Sequence, residues 1–104
     1  MAADLAVIVT ARNEAERIGA TLRALRTALR TAELWVADDA SDDATAAIAR
    51  DAGARVVTAP KRVGKGGAAT LAAKRVDAAV VVLAHADLGE SALELGKLDR
   101  KSVV

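Results

Sequence analysis

The feature that most constrains this chain is an alternation of two hydrophobic rhythms. Residues 5–10 form a short β-branched apolar run, and after it Ile18, Leu22, Leu25 and Leu29 recur every three or four residues, so a strand followed by a helix is predicted. The cycle then repeats. Residues 34–37 read as a second strand, 42–52 as a helix closed by Gly53, and 55–58 as a third strand ended near Pro60. Residues 66–75 read as a third helix, 79–84 as a fourth strand, and 91–98 as a last helical turn or two. Asn13 is expected to cap the first helix, with Glu16 three residues on satisfying a second unpaired amide. Strands alternating with helices at this spacing imply right-handed crossovers and one parallel sheet, a Rossmann-like α/β fold of about four strands. No internal repeat or linker interrupts it.

Composition narrows the functions such a sheet could serve. At 104 residues the chain supports one domain, and 53% hydrophobic with 28% charged positions is the balance of a soluble globular one. A net charge of +1, with basic residues spread along the chain, gives no field suited to nucleic acid or an anionic membrane. Trp35 is the one aromatic residue, so no platform for stacking bases exists, and nucleic acid is not expected as a partner. The absence of cysteine excludes disulfides and thiolate metal sites and fits a reducing compartment. Asp4 in the first residues argues against a signal peptide, and the longest apolar run, residues 78–84, is too short to cross a bilayer. The expected location is the cytoplasm, or at most the inner face of its membrane.

In an open parallel sheet, ligands collect outside the carboxyl ends of the strands. The segments that follow the four strands are ARNEAE, DDASDDAT, APKRVGKGGAA and HADLGES, all charged, small or glycine-rich. The opposite connections, RTAE, DAGAR and RVDA, are plain. A site on one edge of the sheet is therefore expected. A dinucleotide fold needs G-x-G-x-x-G directly after its first strand, and a P-loop needs G-x-x-x-x-G-K followed by Ser or Thr. Neither is present: Gly64, Gly66 and Gly67 follow the third strand, and Lys65 is followed by glycine. A response-regulator receiver fold fails as well, because the acidic pair Asp38 and Asp39 follows the second strand.

Four segments in order, VIVTARNEAERIGATLRAL, WVADDASDDATAAIARDAGARVV, KRVGKGGAAT and VVVLAHADLGES, resemble the N-terminal half of glycosyltransferase family 2, the GT-A fold that uses nucleotide-diphosphate sugars. The glycine-lysine-glycine segment and the ADLGES ending are most similar to the branch of dolichyl-phosphate mannosyltransferases and glucosyl-3-phosphoglycerate synthases. The resemblance covers residues 5–98. It implies that Arg12 and Glu14 lie along the base and ribose of a UDP- or GDP-linked sugar. It also implies that the acidic pair Asp38 and Asp39 belongs to the nucleotide site, with Asp39 accepting a hydrogen bond from base or ribose, as a carboxylate can. Lys65 is implied near the diphosphate, where flanking glycines permit close approach. Asp87 matches the last acid of the family's D-x-D motif, which holds Mg²⁺ or Mn²⁺ on the two phosphates. Here the motif is His85-Ala86-Asp87, with imidazole replacing the first acid; a neutral imidazole suits Mn²⁺ better than Mg²⁺. Thr10 stands where the family commonly has proline.

Simpler readings stand beside these. Asp42 and Asp43 suit a helix N-terminus, where the dipole favours negative charge. Asp38 could equally be a turn-stabilising carboxylate, and His85 a tolerated strand-end residue. Lys61 and Arg62 read as a solvated loop, and Trp35 as core or interface. The resemblance further implies an acceptor pocket and a catalytic base C-terminal to residue 98, so residues 1–98 are expected to be a donor-binding half, unable to transfer sugar alone and containing no catalytic residue. Membrane association is expected only through that C-terminal part. The alternative is a non-catalytic nucleotide-binding domain, motivated by His85. Residues 99–104, DRKSVV, continue no pattern of the family and are expected to be a non-native tail of the kind that read-through into a ligated sequencing adapter leaves.

Overall fold

The structure, a computed structural model, describes residues 3–86. Its elements run β1 (Ala3–Ala11), α1 (Ile18–Ala28), β2 (Glu33–Asp38), α2 (Thr45–Asp51), β3 (Arg55–Thr58), α3 (Gly64–Ala73) and β4 (Ala78–His85). The predicted helical turns over 91–98 and the tail over 99–104 lie outside the described residues. All four strands are parallel, in the order β3-β2-β1-β4, as the alternation predicts. Among the described residues, no helix is long and apolar enough to cross a membrane.

Alternation along β1 explains why both faces of the sheet are covered. Val7 and Val9 point to one side, where Ile18, Leu22 and Leu25 of α1 and Ala49 of α2 close over them with Leu34, Val36 and Val82. Ala6 and Ile8 point to the other side, where Ala68 and Ala72 of α3 pack with Trp35 and Ala37. Small alanines on the inner side of α3 let that helix lie close to the sheet. Each fully buried Val, Leu or Ile contributes about 1.5–3 kcal/mol of transfer free energy. Trp35 is a core residue at 4% exposure, with the Arg55 guanidinium 5.5 Å above its ring.

The expected Asn13–Glu16 cap on α1 does not form. The residue preceding the helix is Arg17, with no side-chain cap, and Asn13 adopts φ = 54° in the loop. The reason is a long-range competitor. Asn13 accepts a hydrogen bond from the Asp42 amide (2.7 Å), and its own amide donates to Ser41 Oγ (2.9 Å). Alongside, the Glu14 amide donates to Thr45 Oγ1 (2.9 Å) and the Ala15 amide to Asp43 Oδ2 (3.2 Å). These bonds latch the loop after β1 to the loop after β2. Asp43 also takes the Thr45 amide (2.9 Å) and hydroxyl at the start of α2, the position where its charge was expected. The Thr45 hydroxyl, first, and then the Thr45 and Ala15 amides hold the Asp43 carboxyl below the ordinary carboxylate range, against an opposing effect of burial.

Two outcomes follow for stability. Leu25 is fully buried under the sheet, so Leu25→Ala is expected to lower the unfolding free energy by about 2–5 kcal/mol in urea titrations, the range for core truncation. Because the Asp43 carboxyl is lowered by folding, its contribution is present above its unfolded pKa of about 3.9 and lost as pH falls through the lower folded value. The stability advantage of the native chain over Asp43→Asn should therefore hold from neutral pH down to about pH 4 and shrink toward zero as pH falls further. An advantage that persisted unchanged at the acid end would contradict the assignment.

Candidate functional site

The sheet order fixes where a site can lie. From β1 the chain steps outward through β2 to β3, then returns past β1 to place β4 on its other side. The carboxyl ends of β1 and β4 flank the point at which that direction reverses, the usual place for a ligand crevice in an open parallel sheet. A cleft opens there, lined by Thr10, Ala11, Arg12, Glu14, Asp39, Lys65, His85 and Ala86. Its enclosed volume of ≈ 100 Å³ is below the roughly 300–1,000 Å³ of a complete small-molecule site, so the described residues wall only part of one.

Five residues singled out from sequence converge on this cleft: Arg12, Glu14, Asp39, Lys65 and His85. Arg12 leaves β1 with its Nη2 3.8 Å from Asp42 Oδ2, an exposed pair that adds little, and its Nε is buried with no hydrogen-bond partner among the described residues. Glu14 is presented by the latch described above. One carboxylate oxygen, Oε1, lies 3.8 Å from Arg17 Nη1, while Oε2 is buried with no partner among the described residues. Buried polar atoms are paired in the great majority of cases. Both residues line the cleft, which therefore carries a cation and a carboxylate with hydrogen-bonding capacity unused among the described residues.

The two adjacent acids do different work. Asp38 is 2% exposed and is not a wall of the cleft; its Oδ1 takes the Ser41 hydroxyl and amide, stabilising the turn after β2. That is the turn-forming alternative read from the sequence. Asp39 faces the cleft at 4% exposure, and its carboxylate accepts from the amides of Val63 (2.7 Å) and Gly64 (3.0 Å). This clamp pins the start of α3, and with it Lys65, against the end of β2. Gly64 has φ = 84°, a conformation side chains resist, and a Cβ on Gly67 would come within 2.9 Å of the Val63 side chain. The glycines thus allow the tight approach that carries Lys65 into the cleft. They also start the helix at Gly64, two residues before the predicted start at Gly66.

At the end of β4, His85 stands beside Thr10, with Nδ1 3.2 Å from Thr10 Oγ1. Asp87 lies outside the described residues, and among those residues no cluster of three or more His, Cys, Asp or Glu is placed to hold a metal ion. The lining does include the imidazole of His85 and the carboxylates of Glu14 and Asp39. That nitrogen-and-oxygen donor chemistry fits Mn²⁺. Sequence reasoning missed the latch residues Ser41, Asp43 and Thr45 as supports of Glu14. Their only signal was the polarity of DDASDDAT, which does not reveal a partner about thirty residues away.

Comparison with known proteins gives this geometry a family. Protein RfbJ of Shigella flexneri is 34% identical over 84 residues, covering 81% of this chain and 64% of that protein. Glucosyl-3-phosphoglycerate synthase from Mycobacterium tuberculosis, crystallised with Mn²⁺, UDP and glucosyl-3-phosphoglycerate, is 29% identical, with a TM-score of 0.72 over 82% of this chain and 34% of that one. The mannosyltransferase PcManGT from Pyrobaculum calidifontis, in complex with GDP-Man and Mn²⁺, is 27% identical, with a TM-score of 0.75 over 84% of this chain and 28% of that one. The chain thus spans under two thirds of the curated relative and about a third of these solved structures. Residues 6–97 match the family model described as Glycosyl transferase family 2. The parallel sheet, its alternating helices and this match agree: the chain belongs to glycosyltransferase family 2.

Proposed function

We propose that this chain is the donor-binding part of a glycosyltransferase, holding a UDP- or GDP-linked sugar in the cleft at the carboxyl ends of β1, β2 and β4. The observation that carries the reading is one cleft lined together by Arg12, Glu14, Asp39, Lys65 and His85, in which Arg12 and Glu14 keep hydrogen-bonding capacity unused among the described residues. Base and ribose present both donors and acceptors, which suits a lining of mixed charge. Asp39 has lone pairs left beyond the two amides it holds and is assigned a further hydrogen bond from base or ribose. Asp38 is assigned a supporting role beneath the turn. Lys65, a compact cation on a glycine-flanked turn, is assigned to the diphosphate. His85 and Asp87 are the residues that would hold the divalent cation, Mn²⁺ in preference to Mg²⁺. When bound, such a cation offsets the charge that gathers on the diphosphate as the sugar departs.

The same reading places the acceptor site and catalytic base outside residues 1–98, so the chain alone is expected to bind donor without transferring sugar. The second reading, a non-catalytic nucleotide-binding domain, is favoured by one observation, the imidazole of His85 where an acid would be expected. Both readings predict nucleotide binding. Transfer of label from a donor sugar by a longer chain retaining His85 separates them.

Titration calorimetry with UDP and with GDP, each in the presence of Mn²⁺, is the direct test. Binding of one of them is expected, and Lys65→Ala should weaken it by about 10- to 100-fold, the loss of one charge-assisted contact of roughly 1.5–3 kcal/mol. Failure of both nucleotides to bind a folded chain at millimolar concentration would overturn the proposal.

A further inference from the structure

We infer that Asp39 is a positioning residue for Lys65: by taking the two amides that open α3, its carboxylate sets where the lysine stands in the cleft, and affinity for a nucleoside diphosphate depends on Asp39 through Lys65. The inference rests on the proposed donor site and deepens it by naming the residue that prepares its ammonium group.

Residues 60–66 are exposed, between the buried Ala59 and Ala68. Among the described residues, the hydrogen bonds that tie this stretch to the rest of the fold run from the Val63 and Gly64 amides to the Asp39 carboxylate, at 2.7 and 3.0 Å, one on each oxygen. Bonds from an amide to a carboxylate are among the stronger in proteins. The stretch has little stiffness of its own, because three of the first four residues of α3 are glycine, the poorest helix former after proline. Asp39 is a firm post by contrast. It is 4% exposed, and its own amide donates to the Ala11 carbonyl at the end of β1 (2.9 Å). A continuous path thus runs from β1 through Asp39 to the turn that carries Lys65.

Gly67 constrains the same turn from within. A Cβ there would lie 2.9 Å from both Cβ and Cγ2 of Val63, and since Val63 Cβ moves only with its backbone, the turn would have to shift. Lys65 is in no ion pair among the described residues, so Asp39, which lines the same cleft, acts on it through the backbone. A lysine whose backbone is already placed bears less of the ordering cost when an anion binds. Charge alone predicts the opposite effect. Asp39→Asn removes a negative group from a cleft assigned to a diphosphate, and on that ground would strengthen binding. A direct bond from base or ribose to Asp39 is separable as well, because its loss would leave the contribution of Lys65 unchanged.

A double-mutant cycle tests this. Titration calorimetry at one fixed Mn²⁺ concentration compares the native chain, Asp39→Asn, Lys65→Ala and the double variant, using whichever of UDP and GDP the native chain binds. Asp39→Asn is expected to weaken binding by about 10-fold, and the Lys65→Ala penalty of about 10- to 100-fold is expected to fall to about threefold or less once the carboxylate is gone. Equal Lys65→Ala penalties in the two backgrounds, or Asp39→Asn binding as tightly as native, overturn the inference and leave the donor site standing. Failure of both nucleotides to bind the folded native chain overturns the donor site itself, and the inference with it. Amide hydrogen exchange without ligand is the second readout. Val63 and Gly64 are expected to exchange about 10-fold more slowly in the native chain than in Asp39→Asn, and equal rates overturn the inference. Where Asp39→Asn does not fold, Gly67→Ala displaces the turn with Asp39 intact. It is expected to shrink the Lys65→Ala penalty in the same way, and an undiminished penalty there overturns the inference.

Discussion

Everything in this structure depends on β1 being hydrogen-bonded on both sides by strands that run in its own direction. Its neighbours are β2 and β4, both parallel, and Ala6 to Val9 are fully buried between helices on the two faces. A parallel neighbour cannot be reached by a tight turn, so each connection must climb over a face of the sheet, and helices are the economical way to do so. The same parallelism sends every strand's carboxyl end to one edge. The polar loops collect there because of backbone direction, before any side-chain chemistry is considered. The cleft is where the path reverses across β1, and the backbone carries the ladder onward at that edge: the Asp39 amide donates to the Ala11 carbonyl and the Ala59 amide to the Asp38 carbonyl.

The periodicities of the sequence made the sheet legible, since burial on two faces leaves near-continuous apolar strands and burial on one leaves a helical stripe. Where reading failed, a distant partner had displaced a local one. Asn13 and Glu16 have the spacing of a helix cap, yet Asn13 is claimed by Ser41 and Asp42 across the cleft edge, which leaves α1 to begin uncapped at Ile18. The sequence places the start of the third helix at Gly66, two residues late. The carboxylate of Asp39, just after β2, takes the Val63 and Gly64 amides, and the helix begins at Gly64. Local propensity is a modest term, and each of these contacts is of similar or greater size.

The acidic pair shows why chemistry was only half legible. Adjacent residues at a strand end point to opposite sides, so two aspartates cannot both face one ligand. The sequence marks the pair as unusual without saying which member turns inward. The fold assigns the turn to Asp38 and the cleft to Asp39. Asp39 in turn links two loops that both supply cleft residues, so the arrangement of Lys65 relative to the end of β2 depends on one carboxylate.

The imidazole at position 85 changes the charge of the cleft as well as its ligand chemistry. With His85 neutral, the charged walls are Arg12 and Lys65 against Glu14 and Asp39, two positive and two negative, so they sum to zero. An acid in place of His85 would make that sum negative and would oppose a diphosphate until a cation arrived. Thr10 and His85, 75 positions apart in sequence and matched in register, meet at this end of the cleft. Under the proposed reading, such a cleft would oppose a diphosphate less than one with an acid at position 85.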